Sequence, residues 1–266
     1  MSKRVVFCTY PSLYSDIVLS ALLSSADVQL VGVVVSTRTA NTHDTMLRGA
    51  WRHLKRSGIY YSLYQWVVTQ GYETLGKWHG KPSLRQRMAS KGVPVLSTQD
   101  INQPDSLGFI QEIKPDILLC AHFNQLIKPV LLSLPSLTCL NIHPSLLPHY
   151  KGVDPGFFML LDDANMMGVT VHLQSEVFDE GDILIQRVLH DPPKQSLMAL
   201  NQALFQLGAD AAVEVIASDS WTPQSQVFGG RYDSWPTKEQ VSLFRQKGHR
   251  LIWGQSNIIW GQSNIS

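Results

Sequence analysis

The sequence is poor in charge and in cysteine. Only 16% of its 266 residues are charged, against about 25% in typical soluble domains, and the formal net charge is +1. A protein that coats nucleic acid needs a large excess of basic side chains, so this balance argues against that class. The cysteines, Cys8, Cys120 and Cys139, each lie inside an apolar run. They are therefore expected to be buried free thiols in a reducing, cytoplasmic compartment and not a disulfide framework.

Long apolar runs are also missing. No stretch approaches the roughly 18 consecutive apolar residues of a membrane span. Near the N-terminus, Pro11, Tyr14 and Asp16 interrupt the apolar segment too early for a signal peptide. We therefore expect the chain to open directly on its first structural element.

The apolar pattern that is present alternates between short β-branched runs and segments with helical periodicity. It predicts strands at 4–8, 29–36, 94–96, 116–121 and 137–143, and helices at 12–23, 106–113 and 196–217. Runs at 168–173 and 183–189 predict an antiparallel extension. Continuous apolar strands that alternate with helices are typical of a parallel sheet, so the prediction is an open, mostly parallel α/β sheet with helices on both faces.

Residues 41–91 do not fit this pattern, because they are too long for a loop and are both basic and aromatic. Nine basic residues stand against only Asp44 and Glu73. One interpretation is a helical lid, or a surface that meets an anionic ligand or a membrane face. The other is an amphipathic helical insert packed on the sheet edge with a solvated basic face.

The C-terminal end carries a perfect tandem repeat, IWGQSNI, at 252–258 and 259–265. A period of seven is too short for a solenoid, so a local duplication is a better explanation than a functional motif.

The residues best suited to chemistry follow a predicted strand. Asn141 and His143 share one face of it, and Pro144 ends it at once. Ligands of open parallel sheets bind at the carboxyl ends of the strands, where an amide and an imidazole can stabilise an oxyanion and move a proton. Asp179 lies in a polar turn and could favour the charged form of His143. Alone, such a strand end more often only satisfies backbone groups.

Several ordered motifs, however, closely resemble the folate-dependent formyltransferase family, which includes glycinamide ribonucleotide, methionyl-tRNA and sugar-nucleotide formyltransferases. They are NIHPSLLP at 141–148, Lys151-Gly152, GVTVH at 168–172 and DEGD at 179–182, and the resemblance covers about residues 3–215. It implies a Rossmann-like fold, N10-formyltetrahydrofolate as formyl donor, and catalytic roles for Asn141, His143 and Asp179. No metal is implied, and no compact His or carboxylate spacing supports one.

The resemblance also implies a folate site. The matching loop, whose backbone would hold the pterin ring, contributes Ala121, Phe123, Gln125, Leu126 and Ile127, and the loop at 175–179 adds Ser175 and Val177. His122 and Asn124 stand where relatives often have glycine or apolar residues. Leu126 and Ile127 would serve equally as ordinary core residues.

The acceptor is less determined. Residues 8–13, CTYPSL, lack the glycines with which glycinamide ribonucleotide enzymes cradle phosphate, so that acceptor is disfavoured. Methionyl-tRNA enzymes carry a further β-barrel domain, and only about 50 residues follow Ala217. A small amine, such as a nucleotide-linked amino sugar, is the preferred acceptor. The residues expected to line its site are Tyr150, Lys151, Asp154, Tyr232 and Trp235, with Arg48, Arg52 and Arg56 contacting phosphate.

The predicted organisation is a catalytic domain over 1–217, which contains the 41–91 insert, and a short extension over 218–266. Tyr232 and Trp235 would stack on the acceptor or merely anchor that extension. The alternatives left open are a methionyl-tRNA enzyme, a formyltetrahydrofolate hydrolase with the same three residues, and a membrane-surface enzyme that acts on a lipid-linked amine. A non-catalytic folate-binding module is disfavoured, and a homodimer is left open.

Overall fold

The structure is a computed structural model, and it describes residues 2–38, 46–227 and 229–252. The first residues of the insert, 41–45, lie outside the described residues. The tandem repeat also lies outside them, except for Ile252.

The strands and helices that the sequence predicts are present in the predicted order, and the structure adds short elements at 129–132, 151–152, 155–161, 232–233 and 238–246 that the sequence does not predict. The strands are β1 (Lys3–Thr9), β2 (Val28–Ser36), β3 (Val95–Thr98), β4 (Ile117–Ala121), β5 (Thr138–His143), β6 (Lys151–Gly152), β7 (Gly168–Leu173), β8 (Ile183–Val188) and β9 (Tyr232–Asp233). The helices are α1 (Leu13–Ser24), α2 (Met46–Trp66), α3 (Tyr72–Trp78), α4 (Leu84–Ala89), α5 (Pro104–Ile113), α6 (Pro129–Leu132), α7 (Pro155–Leu161), α8 (Leu197–Ala217) and α9 (Lys238–Gln246). A π-helical turn, Val67–Gly71, joins α2 to α3.

Seven of these strands form one open sheet in the order β3-β2-β1-β4-β5-β7-β8. The strands from β3 to β5 pair in parallel, and β7 and β8 are antiparallel additions. The mostly parallel sheet and its antiparallel extension are therefore confirmed. The short strands β6 and β9 form a separate parallel pair beside the sheet.

The sheet is buried on both faces, which explains its continuous apolar strands. One face packs against α1, α7 and α8 and receives Leu140 and Ile142 of β5. The other packs against α5 and α6 and receives Cys8, Cys120 and Cys139. All three thiols are free and buried, as predicted. Because alternate side chains of a strand point to opposite faces, Asn141 and His143 share a face with Cys139.

The insert connects β2 to β3 and is mainly helical in its described part, as predicted, with a non-helical connection at 79–83 between α3 and α4. Gly58, at φ +77°, interrupts α2 and divides it into two helical segments. The insert does not simply line the sheet edge, which corrects that expectation. It lies over the helical layer, where the Tyr64 hydroxyl contacts the Tyr14 hydroxyl at 2.7 Å and accepts a hydrogen bond from Asn201 Nδ2 at 3.0 Å. Helix α4 contacts the edge strand β3 through Arg85 and Ser97.

The residues after α8 fold back onto the sheet. Gln224 forms a bridge to Ile183 at the start of β8, and β9 pairs with β6. Phe244 of α9 stacks on Phe157 of α7 at 4.7 Å between ring centroids. No helix among the described residues is long and apolar enough to cross a membrane.

Candidate active site

Strand β5 delivers Asn141 and His143 to the carboxyl edge of the sheet. In the antiparallel register with β7, Asn141 lies opposite His172 and His143 lies opposite Thr170. His143 is 3% exposed, whereas Asn141 remains partly accessible. The strand therefore presents one buried titratable group and one accessible amide on the same face.

Both ring nitrogens of His143 face acceptors. Nδ1 lies 3.2 Å from Asp179 Oδ1, and Nε2 lies 2.9 Å from the carbonyl oxygen of Tyr150. A neutral imidazole has one N–H and can satisfy only one of them, so this arrangement selects the imidazolium. Burial lowers the pKa of His143, but the charge and hydrogen bond of Asp179 outweigh burial, and the pKa is raised above its usual value.

The Asp179 carboxylate is held from two sides. Its Oδ2 accepts a hydrogen bond of 2.8 Å from the Gly152 amide, and its Oδ1 faces His143. Burial raises the pKa of Asp179, but the charge and hydrogen bond of His143 and the hydrogen bond of the Gly152 amide together outweigh burial and bring the pKa to about 2. Gly152 is required here, because its φ is +98° and a Cβ would come within 2.2 Å of the Asp233 carbonyl oxygen.

His172 completes the arrangement; the sequence places it at the end of the GVTVH motif but assigns it no role of its own. Its Nδ1 donates to the Leu173 carbonyl oxygen at 2.7 Å, and its Nε2 lies 3.0 Å from Asn141 Nδ2. Burial lowers the pKa of His172 to about 4, so the ring is neutral near pH 7. A neutral ring that donates through Nδ1 must accept at Nε2, and this fixes the NH₂ side of the Asn141 amide toward His172.

These contacts define what the site can do. His172 takes one N–H of the Asn141 amide, which leaves the second N–H without a partner among the described residues. Close by, His143 carries a buried positive charge that Asp179 maintains. An oriented amide donor beside a fixed cation is suited to stabilising negative charge that develops on a carbonyl oxygen.

A pocket of about 450 Å³ lies beside Asp179. It is lined by Lys151, Val177, Phe178, Glu180, Gly229, Gly230 and Tyr232, which brings together three residues predicted for the folate and acceptor sites. The buried Lys151 ammonium pairs with Glu180 at 3.1 Å. The two charges therefore offset each other in the pocket wall.

Asp154 and Trp235, also predicted for the acceptor site, lie elsewhere. Asp154 accepts hydrogen bonds from the Tyr61 hydroxyl at 2.6 Å and from Asn201 Nδ2 at 3.0 Å. Trp235 packs edge-on against His53 at 5.0 Å. Both residues join the insert to the rest of the domain and do not line the pocket. Tyr150, in contrast, contributes its carbonyl oxygen to His143.

The basic side chains proposed for phosphate binding lie on the insert and do not line the pocket either. Arg56 donates through Nε to the Trp235 carbonyl oxygen at 3.0 Å, so it also serves the junction between insert and extension. Arg48 and Arg52 lie exposed on α2. Among the described residues, no group of three or more His, Cys, Asp or Glu side chains is placed to hold a metal ion.

The sequence matches the formyl transferase family over residues 77–216, more than half of the chain. The chain belongs to the formyl transferase family. Similar curated proteins are methionyl-tRNA formyltransferases: that of Syntrophus aciditrophicus is 35% identical over 154 residues, 56% of this chain and 49% of the relative. That of Roseiflexus castenholzii is 28% identical over 229 residues, 85% of this chain and 63% of the relative. The first of these alignments thus spans about half of the relative's length.

Solved structures show the same fold at low identity. A sugar N-formyltransferase from Shewanella superposes with a TM-score of 0.56 at 16% identity, and the match covers 87% of this chain and 76% of that one. A glycinamide ribonucleotide transformylase from Symbiobacterium toebii gives 0.55 at 17% identity, covering 85% and 95%. These similarities support the Rossmann-like sheet.

In this member of the formyl transferase family, the loop after β4 is fixed by its side chains. Gln125 is buried, accepts from the Ile101 amide at 2.6 Å and donates to Ser36 Oγ at 2.8 Å. Asn124 donates to the Arg38 carbonyl oxygen at 3.0 Å, and His122 Nδ1 lies 3.1 Å from Ser12 Oγ. The two residues that depart from the family pattern therefore tie the loop to the N-terminus of α1 and to the residues that follow β2.

The other predicted folate residues differ in exposure. Ala121 and Ile127 are fully buried, whereas Phe123 and Leu126 remain partly exposed. In the second loop, Ser175 Oγ donates to the Val177 carbonyl oxygen at 2.8 Å and the Val177 side chain is exposed. Besides the polar side chains of Asn124 and Glu176, the accessible side chains of these loops include the apolar Phe123, Leu126 and Val177.

Proposed function

We propose that this chain transfers a formyl group from N10-formyltetrahydrofolate to a primary amine of a small acceptor. The observation that carries the proposal is the hydrogen bonding of His143, which is held as a cation by Asp179 beside an Asn141 amide oriented by His172. Membership of the formyl transferase family supports the same chemistry.

In the proposed reaction, an unprotonated amine attacks the formyl carbon and the formyl oxygen gains negative charge. The second N–H of Asn141 donates to that oxygen, and the His143 charge stabilises it in a buried, low-dielectric site. Both N–H groups of His143 are engaged, so direct donation to the oxygen requires Nε2 to leave the Tyr150 carbonyl. As the carbonyl re-forms, the bond between the formyl carbon and N10 of the donor breaks; the amine loses a proton and N10 gains one, so the transfer consumes no net acid.

We assign the formyl donor to the loops at 121–127 and 175–179. The first follows β4, whose carboxyl end lies next to that of β5. Because the Gln125, Asn124 and His122 side chains are used within the protein, this loop would recognise a pterin through its backbone and through the accessible Phe123 and Leu126.

For the acceptor, we propose an amino sugar, in nucleotide-linked form or a similar metabolite. The pocket beside Asp179 offers Lys151 and Glu180 for polar groups and the exposed ring of Tyr232 for stacking on a sugar. The fold similarity to a sugar N-formyltransferase is compatible with this class. Methionyl-tRNA is the second candidate, because the curated relatives are methionyl-tRNA formyltransferases.

The test is a screen of amine acceptors with N10-formyltetrahydrofolate, read by tetrahydrofolate release and by mass of the formylated product. An amino sugar acceptor supports the proposal, and His143→Ala should then abolish transfer while folate binding persists. His149→Ala, an exposed histidine of the same segment, is the matched control and should retain transfer. Formate release in the absence of an acceptor would show that the chain is a formyltetrahydrofolate hydrolase and would contradict the proposed transfer. Exclusive turnover of methionyl-tRNA would replace the small acceptor.

A further inference from the structure

The second segment of α2 is apolar on two opposite sides. Tyr61, Tyr64 and, one turn further, Val68 are buried against the domain. Ile59, Leu63 and Trp66 follow one another at the i, i+4, i+7 spacing that defines one face of a helix. They are 66%, 50% and 48% exposed. We call Ile59, Leu63 and Trp66 the outer face.

The outer face is not needed to hold the insert in place. The buried side does this, through the Tyr64–Tyr14 contact and the hydrogen bond from Tyr61 to Asp154. A helix of a soluble domain usually carries polar residues on its solvent side, so three large apolar side chains there indicate a binding surface.

The other tryptophans of the insert are also exposed. Trp51 is 61% exposed and Trp78 is 84% exposed. Of the tryptophans that the structure describes, Trp221 and Trp235 outside the insert are partly buried, whereas all three in the insert are exposed. Tryptophan, with an apolar ring and one N–H donor, favours the boundary between water and a lipid bilayer.

The charge of the described part of the insert is almost entirely positive. Glu73 is the acidic residue of its described part, against nine basic residues over 46–91. Lys77 and Lys81 are exposed and form no ion pair with any described residue, and the Lys55 ammonium lies over the Trp51 ring at 5.2 Å from its centroid. The surface therefore combines unpaired positive charge with apolar and indole side chains.

We infer that the outer face, together with the exposed tryptophans and lysines of the same insert, docks this protein on an anionic lipid bilayer. An amphipathic helix with Leu and Trp on one side and Lys and Arg beside them binds in the interfacial plane of such a bilayer. A second copy of the chain fits less well, because a symmetric contact would place two basic inserts against each other. Nucleic acid would use the lysines but leave Ile59 and Leu63 without a role.

The docking goes beyond the proposed function and is tested without it. The full chain is mixed with vesicles of phosphatidylcholine alone or with 30% phosphatidylglycerol, and binding is read by co-sedimentation and by a blue shift of tryptophan emission. We expect binding to the anionic vesicles at least tenfold tighter than to the neutral ones, and weakened by added salt.

Two sets of variants separate the apolar and the electrostatic contributions. Ile59→Gln/Leu63→Gln/Trp66→Gln should lose at least tenfold in vesicle affinity. The matched control replaces three exposed apolar residues elsewhere, Val130→Gln/Met166→Gln/Val188→Gln, and should bind like the parent chain. Lys77→Gln/Lys81→Gln should lose about fivefold per lysine, and its control Lys128→Gln/Lys194→Gln should not.

The inference is overturned if the parent chain does not bind anionic vesicles, or if a variant and its matched control lose binding equally. It is also overturned if light scattering shows a dimer that the outer-face variant dissociates, or if tRNA binds the chain and needs the same three apolar residues. Unaltered urea unfolding of each variant verifies that a loss of binding is not a loss of fold.

Discussion

The Asn141 amide donates to the unprotonated Nε2 of His172 at 3.0 Å, across the β5–β7 pairing. The Leu173 carbonyl oxygen fixes the tautomer of His172, and the tautomer fixes the orientation of the amide. A residue that does not touch the reacting atoms thereby determines which side of Asn141 faces the open edge of the sheet.

This relationship predicts that His172 positions the proposed oxyanion donor. His172→Ala should lower kcat by about tenfold, because the amide is no longer held with an N–H toward the substrate, and should leave the affinity for folate nearly unchanged. His172→Gln, whose Oε1 can accept the same hydrogen bond, should recover part of the rate. Steady-state kinetics of both variants test this, and an equal loss in the two would show that only packing matters.

The pair of His143 and Asp179 predicts a change in the pH profile. Asp179→Asn removes the charge that raises the pKa of His143, so the rate should fall about 10²- to 10³-fold and its alkaline limb should move to lower pH. Glu180→Gln is the control for the shape of the profile only: Glu180 lines the pocket, so its loss can weaken acceptor binding, but it pairs with Lys151 and not with His143, so the alkaline limb should stay in place. A profile that keeps its shape in Asp179→Asn would contradict the assignment.

The same site predicts how stability depends on pH. His172 has a folded-state pKa of about 4, below its usual 6.5. Between pH 6.5 and 4 the unfolded chain therefore binds a proton that the native chain does not, and the free energy of unfolding decreases as the pH is lowered. The His143 contribution is fully present below pH 6.5 and is lost as pH rises through its raised pKa. The Asp179 contribution is present above pH 3.8 and is lost as pH falls toward about 2.

His172→Gln removes the first of these three contributions. Between pH 6.5 and 4, the unfolding free energy of the parent chain should fall by up to about 3 kcal/mol more than that of the variant, at 1.36 kcal/mol per proton and pH unit. Urea unfolding at pH 6.5, 5.5 and 4.5 measures the difference in slope. Parallel curves for the two proteins would show that His172 is not buried in its neutral form.

The anchoring of the insert predicts a stability effect far from the active site. Tyr61→Phe removes the donor to Asp154 Oδ2 and leaves a largely desolvated carboxylate with less compensation, at a cost of about 1–3 kcal/mol. Tyr60→Phe is the control, because Tyr60 is exposed and its ring contacts the Arg245 guanidinium. Its effect should stay within about 0.5 kcal/mol in urea unfolding.

The sheet and the first two site residues were predictable for a physical reason. Parallel strands buried on both faces need apolar side chains on both faces, so they occur in the sequence as continuous β-branched runs. Alternate residues of β5 share a face and Pro144 ends the strand, which places Asn141 and His143 together at a strand end. Asp179 lies in a turn 36 residues beyond His143. Its polar turn makes Asp179 a candidate partner of His143, but only the resemblance to the family implies that the two residues act together, because local patterns carry no information on that separation.

The remaining parts of the site depend on long-range packing. The register of the antiparallel β5–β7 pair places His172 opposite Asn141. This register cannot be predicted from the sequence of either strand alone. Asp154 and Trp235 follow polar and aromatic patterns that suit a ligand pocket as well as a domain junction. Their burial against Tyr61 and His53 arises only once the insert lies over the helical layer.

The return of the chain after α8 has a practical consequence for cutting and joining this domain. Gln226 donates to the carbonyl oxygens of Asp179 and Gly181, and Gly230 approaches so closely that a Cβ would meet the Pro148 carbonyl oxygen at 1.8 Å. The match to the family ends at residue 216. In a chimera joined at that boundary, the pocket residues after 216 would come from a different protein than the β5–β8 region. To exchange acceptor preference between relatives, residues 218–252 should therefore be transferred together with the β5–β8 region.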